Sequence, residues 1–314
     1  MISRRQAAIG VVFWLLIFGG FVALAGVGDF IETASQISPS RFAVMLGANG
    51  LGVLAMGLAL YVIAHNVGLG FSAIESVFLN TTVGLAHNLT PFGQAGGIPV
   101  SGAILSRQTD RPYEECLAVL SAKDIVGFVP AILVFVVGGG YLALFGRSVP
   151  GRLRPLVAAF SLFVVIVVSV AALIYRYPEP AYRVLSRLVA WINRTVARLP
   201  LIPSLDPTEV QTTTTAVGSQ GILLWLTLGG VGVELSPVLT VFIIPVSLLA
   251  SGLPLPGGSG GVESLQVLLV VAASGAAAST VITAVLVSRG LVYWTPIIMG
   301  SITLFVIEVR DRLA

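Results

Sequence analysis

Charged side chains are scarce in this sequence: only 10% of its 314 residues are Asp, Glu, Lys or Arg. A soluble domain usually carries about 25% charged residues, so the composition excludes an ordinary soluble enzyme. The lone cysteine, Cys116, excludes an internal disulfide and a thiolate metal cluster. Two histidines, His65 and His87, are too few for a histidine-rich metal site, and we interpret them as structural. We therefore expect neither a metal nor a cofactor.

Long apolar runs take the place of the missing charge. Hydrophobic residues make up 56% of the chain, and the mean hydropathy is +0.99. Several runs approach or exceed the ~20 residues that cross a hydrocarbon core. The apolar windows lie at 9–28, 42–64, 71–90, 117–145, 156–175, 216–233, 238–253, 262–274, 276–288 and 291–307. This pattern predicts an all-α polytopic membrane protein with about 6–8 transmembrane helices.

The domain prediction is a single integral membrane domain over residues 1–314, with a first half at 1–175, a polar connector at 176–212 and a second half at 213–314. Arginines cluster beside the apolar runs, which argues against a nucleic-acid partner. By the positive-inside rule they favour a plasma-membrane protein with a cytoplasmic N-terminus. Residues 180–199 have the pattern of a basic amphipathic helix. That segment either lies in the headgroup layer or simply links the halves.

Two blocks rich in glycine and proline interrupt the apolar runs. The first covers residues 90–99 and the second covers 254–261, and each places a proline, a small-residue turn and a Gly-Gly pair before a new apolar helix. Such backbone is tolerated at membrane depth only where protein or a watery cavity covers it. The blocks predict two re-entrant helical hairpins, arranged as an inverted repeat of the kind found in transporters. The alternative is two unrelated re-entrant turns.

Six charged side chains lie in or beside the apolar windows: Glu75, Lys123, Asp124, Glu234, Glu263 and Arg289. A charge that faces lipid at the bilayer centre costs about 2.5–3.5 kcal/mol, so most of them should face the protein interior. Glu75 and Glu234 lie near segment ends, which favours an interfacial position for both.

The other four charges are candidates for a site inside the protein. Lys123 could reach the headgroups or line a cavity, whereas Asp124 is too short to reach them. Arg289, at an expected helix break over 288–290, could be an interfacial anchor or line the cavity. Glu263 could cap a helix start, recognise a cationic headgroup or relay protons.

The blocks and charges together give the chain a resemblance to a known family. The residues that carry it are Asn88, Pro91, Gly96, Gly97, Arg107, Lys123, Asp124, Gly260, Gly261, Glu263 and Arg289. In their order and spacing they resemble the lysylphosphatidylglycerol synthase transmembrane family, also called the flippase-like domain family. The resemblance implies a membrane domain that moves lipid headgroups across the bilayer. Since no soluble aminoacyl-transfer domain accompanies it, we do not expect this chain to make the lipid.

We therefore predict a translocase for phospholipid or polyprenyl-linked headgroups, and take the eleven residues that carry the resemblance as its substrate-binding residues. Lys123, Arg289 and the helix starts near Gly97 and Gly261 would hold a headgroup phosphate. Asp124 and Glu263 would meet a cationic or hydroxylated group. Expected partners are membrane lipids with anionic or lipid-linked headgroups. Two alternatives remain open: an intramembrane polyprenyl-phosphate sugar or headgroup transferase, and a non-catalytic membrane anchor for a separate synthase.

Overall fold

The described part of the chain is helical. The computed structural model describes residues 4–90, 94–124, 207–248, 250 and 255–313, and no strand occurs within these ranges. Most of the connector and its predicted amphipathic helix at 180–199 lie outside the described residues. So does Pro91 of the first Gly/Pro block.

The first half begins with a sharply bent pair of helices, α1 (Arg4–Ala25) and α2 (Val27–Ser35), whose axes differ by 91°. The bend lies at Gly26, whose φ of 88° falls in the left-handed region that suits glycine. Helix α3 (Pro39–Asn66) follows.

Helix α4 (Ala73–Leu89) starts with a capping box, in which the Ser72 and Glu75 side chains each bind the other's backbone nitrogen. Helix α5 (Gln94–Thr109) comes next, and helix α6 is described over residues 113–124. Glu75 is therefore an exposed capping residue at a helix end. Glu234 is likewise exposed, in a turn of the second half.

The second half contains helices α7 (Pro207–Gly230), α8 (Pro237–Leu248), α9 (Gly261–Ser274) and α10 (Ala278–Leu313), with a short 3-10 turn at Pro256–Gly258. Two of these bounds correct the sequence prediction. Helix α7 begins within the expected connector, because a proline suits the first position of a helix. Helix α10 is unbroken over 288–290, since one interior glycine costs a helix only about 1 kcal/mol and packing can offset that.

Two described helices are long and apolar enough to cross a membrane, namely α3 and the segment Ala278–Val309 of α10. The bent pair of α1 and α2 would make a third span if it crosses as one unit. Helices α8 and α9 are apolar but have only 12 and 14 residues. The all-helical membrane class is thus confirmed, while the number of 6–8 spans stays a prediction.

The two halves place their helix ends at matching positions. Helix α3 ends at Asn66 and α7 ends at Gly230, 164 positions later, and the next helices start at Ala73 and Pro237, again 164 positions apart. The intervening turns have the same backbone: Gly68 and Gly232 have φ angles of 77° and 76°. Each turn also closes with a bond from the residue after that glycine to a carbonyl five residues earlier, at 2.8 and 2.9 Å.

Close helix contacts repeat at the same interval. A Cβ added to Gly57 of α3 would lie 2.5 Å from the Val77 Cα of α4, and one added to Gly221 of α7 would lie 2.5 Å from the Val241 Cα of α8. Small residues let helix backbones approach this closely. The α3–α4 and α7–α8 pairs are therefore built to the same plan.

Each half also encloses its own apolar core. The first core includes Leu60, Leu69, Leu79, Leu105 and Leu120, and the second includes Leu224, Val233, Ile243, Val270 and Val285. When the two lists are matched in order, the first three pairs of residues, which precede the Gly/Pro blocks, are 164 positions apart. The last two pairs, which follow the blocks, are 165 positions apart. The same sequence positions therefore point into both cores.

Helix α3 packs along α7 in one of two extensive contacts between the halves, and the other contact joins α4 and α10. Gly230 at the end of α7 lies beside Arg41 near the start of α3, whereas Ser219 lies beside Gly52 further along. The two equivalent helices therefore run antiparallel. One half is inverted relative to the other along this contact.

Candidate functional site

A cavity of about 230 Å³ lies between the two halves. Helices α3, α4, α6, α7 and α10 line it, together with the 3-10 turn and the end of α8. Its polar and charged lining residues are Asn49, Asn80, Thr81, His87, Asn88, Lys123, Asp124, Ser219, Gln220, Arg289 and Tyr293. In a chain with so few charges, this polar lining marks the cavity as the candidate site.

Arg289 is held in the wall of the cavity by Glu263. The Arg289 Nε donates to Glu263 Oε1 at 2.9 Å, and Glu263 Oε2 accepts from the Gly260 backbone N–H at 2.7 Å. Glu263 is the third residue of α9, where a carboxylate caps the helix start. Of its predicted roles, the structure shows the cap of α9, and Glu263 also fixes the guanidinium of Arg289.

Lys123 lies inside the protein, with only 3% of its surface exposed. Its Nζ donates to Asn80 Oδ1 at 2.9 Å and lies 3.7 Å from Asp124 Oδ1. Of the two predicted positions, the structure gives the cavity wall.

Asp124 faces a different partner with its other oxygen. Its Oδ2 lies 3.9 Å from His87 Nε2, which is too long for a hydrogen bond. Within the described part of the chain, neither of these two buried atoms has a hydrogen-bond partner. The cavity therefore contains a carboxylate and an imidazole that face one another without a direct bond.

The second Gly/Pro block approaches the end of α4 at the edge of the cavity. Asn88, just before the first block, donates from Nδ2 to the Tyr293 carbonyl at 3.1 Å, and the Tyr293 hydroxyl donates to the Asn88 carbonyl at 3.0 Å. A Cβ on Gly257 of the second block would lie 3.0 Å from Asn88 Oδ1. With a φ of 60° as well, this position requires glycine.

Gly97 brings the first block against α4. A Cβ there would lie 2.7 Å from the His87 Cα, so the start of α5 contacts the backbone of the cavity histidine directly. A larger residue at this position would push His87 and α5 apart.

The ten predicted site residues that lie in the described part of the chain divide into three groups. Asn88, Lys123, Asp124 and Arg289 line the cavity. Glu263 and Gly97 lie behind this lining and contact it, and Gly260 and Gly261 lie at the start of α9. Gly96 belongs to the first turn of α5. Arg107 is exposed near the end of α5 and does not line the cavity.

Sequence reasoning missed much of the uncharged lining. Asn80 binds Lys123, and Asn49 donates to Thr295 Oγ1 at 2.7 Å. His87 was interpreted as structural, yet it faces Asp124. The usable signal was the presence of amide and imidazole side chains within runs that are otherwise apolar, because such groups are expensive in lipid unless they are paired.

Comparison with known families identifies a match over most of the chain. The family described as "Lysylphosphatidylglycerol synthase TM region" matches residues 6–300 of the chain. No significant match was found among curated proteins.

Proposed function

The chain belongs to the lysylphosphatidylglycerol synthase transmembrane family, and from this membership we propose that it is a translocase that moves lipid headgroups across the plasma membrane. Its substrates are phospholipids or polyprenyl-linked lipids whose headgroup enters the cavity. The acyl or prenyl tails stay in the surrounding lipid during the movement.

The polar cavity is the observation that carries this proposal. Lys123, Asp124 and Arg289 all line it, although ionised groups in a membrane segment are costly unless they pair or serve a site. A headgroup crossing the bilayer needs such a shielded polar path, because a phosphate alone in hydrocarbon would lose its hydration. A non-catalytic anchor would have no use for a cavity of this kind.

The relation between the halves supports a transporter. Equivalent helices α3 and α7 run antiparallel, and each half carries a Gly/Pro break between two short helices. Inverted repeats with broken helices that meet at a central site are typical of secondary transporters. We propose that the α4–α5 and α8–α9 pairs are the two re-entrant hairpins.

Positions of opposite charge then face the substrate from the two halves. Asp124 and Arg289 are 165 positions apart, the interval that relates the cores after the Gly/Pro blocks, so they are equivalent residues of the repeat. Arg289 and Lys123 hold the headgroup phosphate. Asp124 accepts from a cationic or hydroxylated group, and Glu263 positions Arg289.

Reconstitution into vesicles tests the proposal. Fluorescent phospholipids and a polyprenyl phosphate are placed in one leaflet, and their appearance in the other is followed over time. We expect wild-type protein to accelerate movement of at least one lipid, and Asp124→Asn and Arg289→Gln to slow it at least tenfold. Arg111→Gln and Glu115→Gln are matched controls, since that ion pair is half exposed at the surface.

Two results of this experiment would argue against the proposal. Equal rates of lipid movement for all four variants would show that the cavity residues do not take part in transport. Vesicles with wild-type protein that move no lipid faster than empty vesicles would favour one of the two alternatives, the transferase or the anchor.

A further inference from the structure

His87 and Asp124 leave two polar atoms unused inside the protein. His87 Nε2 and Asp124 Oδ2 are both buried, lie 3.9 Å apart and have no hydrogen-bond partner in the described part of the chain. The side chains are only 12% and 9% exposed. Buried polar atoms normally have a hydrogen-bond partner. Two unpaired polar atoms that face each other therefore point to a small ligand that binds one of them or bridges both.

Four charged side chains, in two pairs, lie at or next to this site. Asp124 Oδ1 lies 3.7 Å from Lys123 Nζ on the same helix, and Arg289 on α10 already pairs with Glu263 on α9. With a neutral imidazole, these four ionised groups balance. Among the described lining residues, α3 and α7 contribute amides and a hydroxyl but no ionisable side chain.

The remaining neighbours of His87 do not compete for its proton. Tyr293 on α10 donates its hydroxyl hydrogen to the Asn88 carbonyl. The closest described part of α5 is Gly97, which has no side chain. The carboxylate of Asp124 is therefore the group placed to accept from a protonated His87.

We propose that His87 and Asp124 form a proton-binding site, and that its proton exchanges with the substrate headgroup. This inference rests on the proposed translocase function. A proton from water in the cavity binds His87 Nε2, and the resulting N–H donates to Asp124 Oδ2 after the two atoms approach by about 1 Å, to hydrogen-bond distance. Histidine suits this role because a ring nitrogen of its imidazole can both bind and release a proton.

The exchange uses Asp124 as a shared acceptor. Asp124 Oδ2 can accept from the imidazolium or from a cationic or hydroxylated headgroup group, and in the proposed exchange the headgroup takes the place of the imidazolium. When the headgroup binds Asp124, the His87 proton returns to water. The number of protons is conserved in each cycle, and a proton gradient supplies the energy for lipid movement.

Histidine NMR on the purified full chain tests the site without any transport measurement. The chain has only two histidines, and His65 is exposed and stacks on Tyr61 at the end of α3. The variant His65→Gln thus leaves His87 as the single imidazole signal. We expect this signal to titrate within the pH range over which the protein stays folded, and its midpoint to fall when Asp124→Asn is added, because the carboxylate stabilises the imidazolium.

Two NMR results would overturn the proton site. One is a His87 signal that does not titrate in this range. The other is a midpoint that Asp124→Asn leaves in place. Either result applies whether or not the protein moves lipid.

Vesicle transport then tests the coupling. A pH gradient should change the initial rate of lipid movement in wild-type protein and in His65→Gln, and this dependence should be lost in His87→Gln. A sodium gradient at constant pH serves as the comparison. Gel filtration and circular dichroism establish that His87→Gln is folded.

The outcomes separate the two proposals. If the rate of lipid movement by wild-type protein does not depend on the pH gradient, or depends on the sodium gradient instead, proton coupling is wrong and the translocase proposal stands. Absence of any lipid movement overturns the translocase, and the NMR titration then decides the proton site alone.

Discussion

Glu263 shows how a buried charge is held in this apolar chain. Its two oxygens bind the Gly260 N–H and the Arg289 Nε, and its side chain is 4% exposed. A buried ion pair gains little over a well-packed apolar pair, but removing one partner strands the other. We therefore expect the pair to matter more for the position of Arg289 in the cavity wall than for the stability of the fold.

We expect Glu263→Gln to lower the free energy of unfolding by about 3–5 kcal/mol, because it leaves the Arg289 guanidinium buried without a counter-charge. Glu115→Gln removes an exposed carboxylate and should lower the free energy of unfolding by less than about 1 kcal/mol. Reversible unfolding in mixed micelles, followed by circular dichroism, compares the two. Equal losses would show that the Glu263–Arg289 pair is not shielded from water.

Single residues also show how far the sequence could predict the site. Lys123, Asp124, Glu263 and Arg289 stand out because each is a charge in an apolar run, and the structure places three in the cavity lining and the fourth against Arg289. Amides and imidazoles give a weaker signal. The pairing of Asn80 with Lys123 depends on two helices meeting across 43 positions of sequence, which local pattern does not contain.

At the scale of helices, glycine sets how closely the elements pack. Gly57 and Gly221 bring α3 onto α4 and α7 onto α8, whereas Gly47 and Gly218 on the same two long helices have no neighbouring atom within 4 Å of a built Cβ. The chain thus offers a contact glycine and a free glycine in each half. This pairing allows a controlled test of the repeat.

We expect Gly57→Ala and Gly221→Ala to destabilise the protein by about 1–3 kcal/mol each, since the new methyl group meets backbone. Gly47→Ala and Gly218→Ala should be neutral or stabilise it by up to about 1 kcal/mol, as alanine favours helix. Thermal unfolding in nanodiscs measures all four. Similar effects for contact and free glycines would contradict the packing described here.

Helix bounds were predictable where a clear start or stop signal exists. The Gly/Pro block at 254–261 leads into α9, which begins at Gly261. The expected break over 288–290 was wrong, because a lone glycine next to a paired arginine does not stop α10. The start of α7 at Pro207 also fell outside the predicted window, since polarity hid a helical segment that leads into the apolar run.

For the whole molecule, the antiparallel contact of α3 and α7 has a direct topological consequence. The turns at Gly68 and Gly232 end equivalent helices. If both helices span the bilayer, these turns must lie on opposite sides of the membrane. A parallel repeat would place them on the same side.

Cysteine labelling measures this arrangement. Cys116 is the lone cysteine and is buried, so Cys116→Ala gives a clean background. We expect Val67→Cys and Glu234→Cys, both at exposed positions, to react with a membrane-impermeant maleimide from opposite sides of sealed vesicles. Reaction of both from one side would contradict the inverted repeat.

The central claim is that the cavity between the halves holds a lipid headgroup, and the lipids retained by gently purified protein test it most directly. Mass spectrometry would compare wild-type protein, the cavity variant Asp124→Asn/Arg289→Gln and the surface variant Arg111→Gln/Glu115→Gln. The account predicts that one headgroup class is enriched over bulk membrane in the wild type and surface variant, and falls at least tenfold in the cavity variant. The same lipid profile in all three proteins would contradict it.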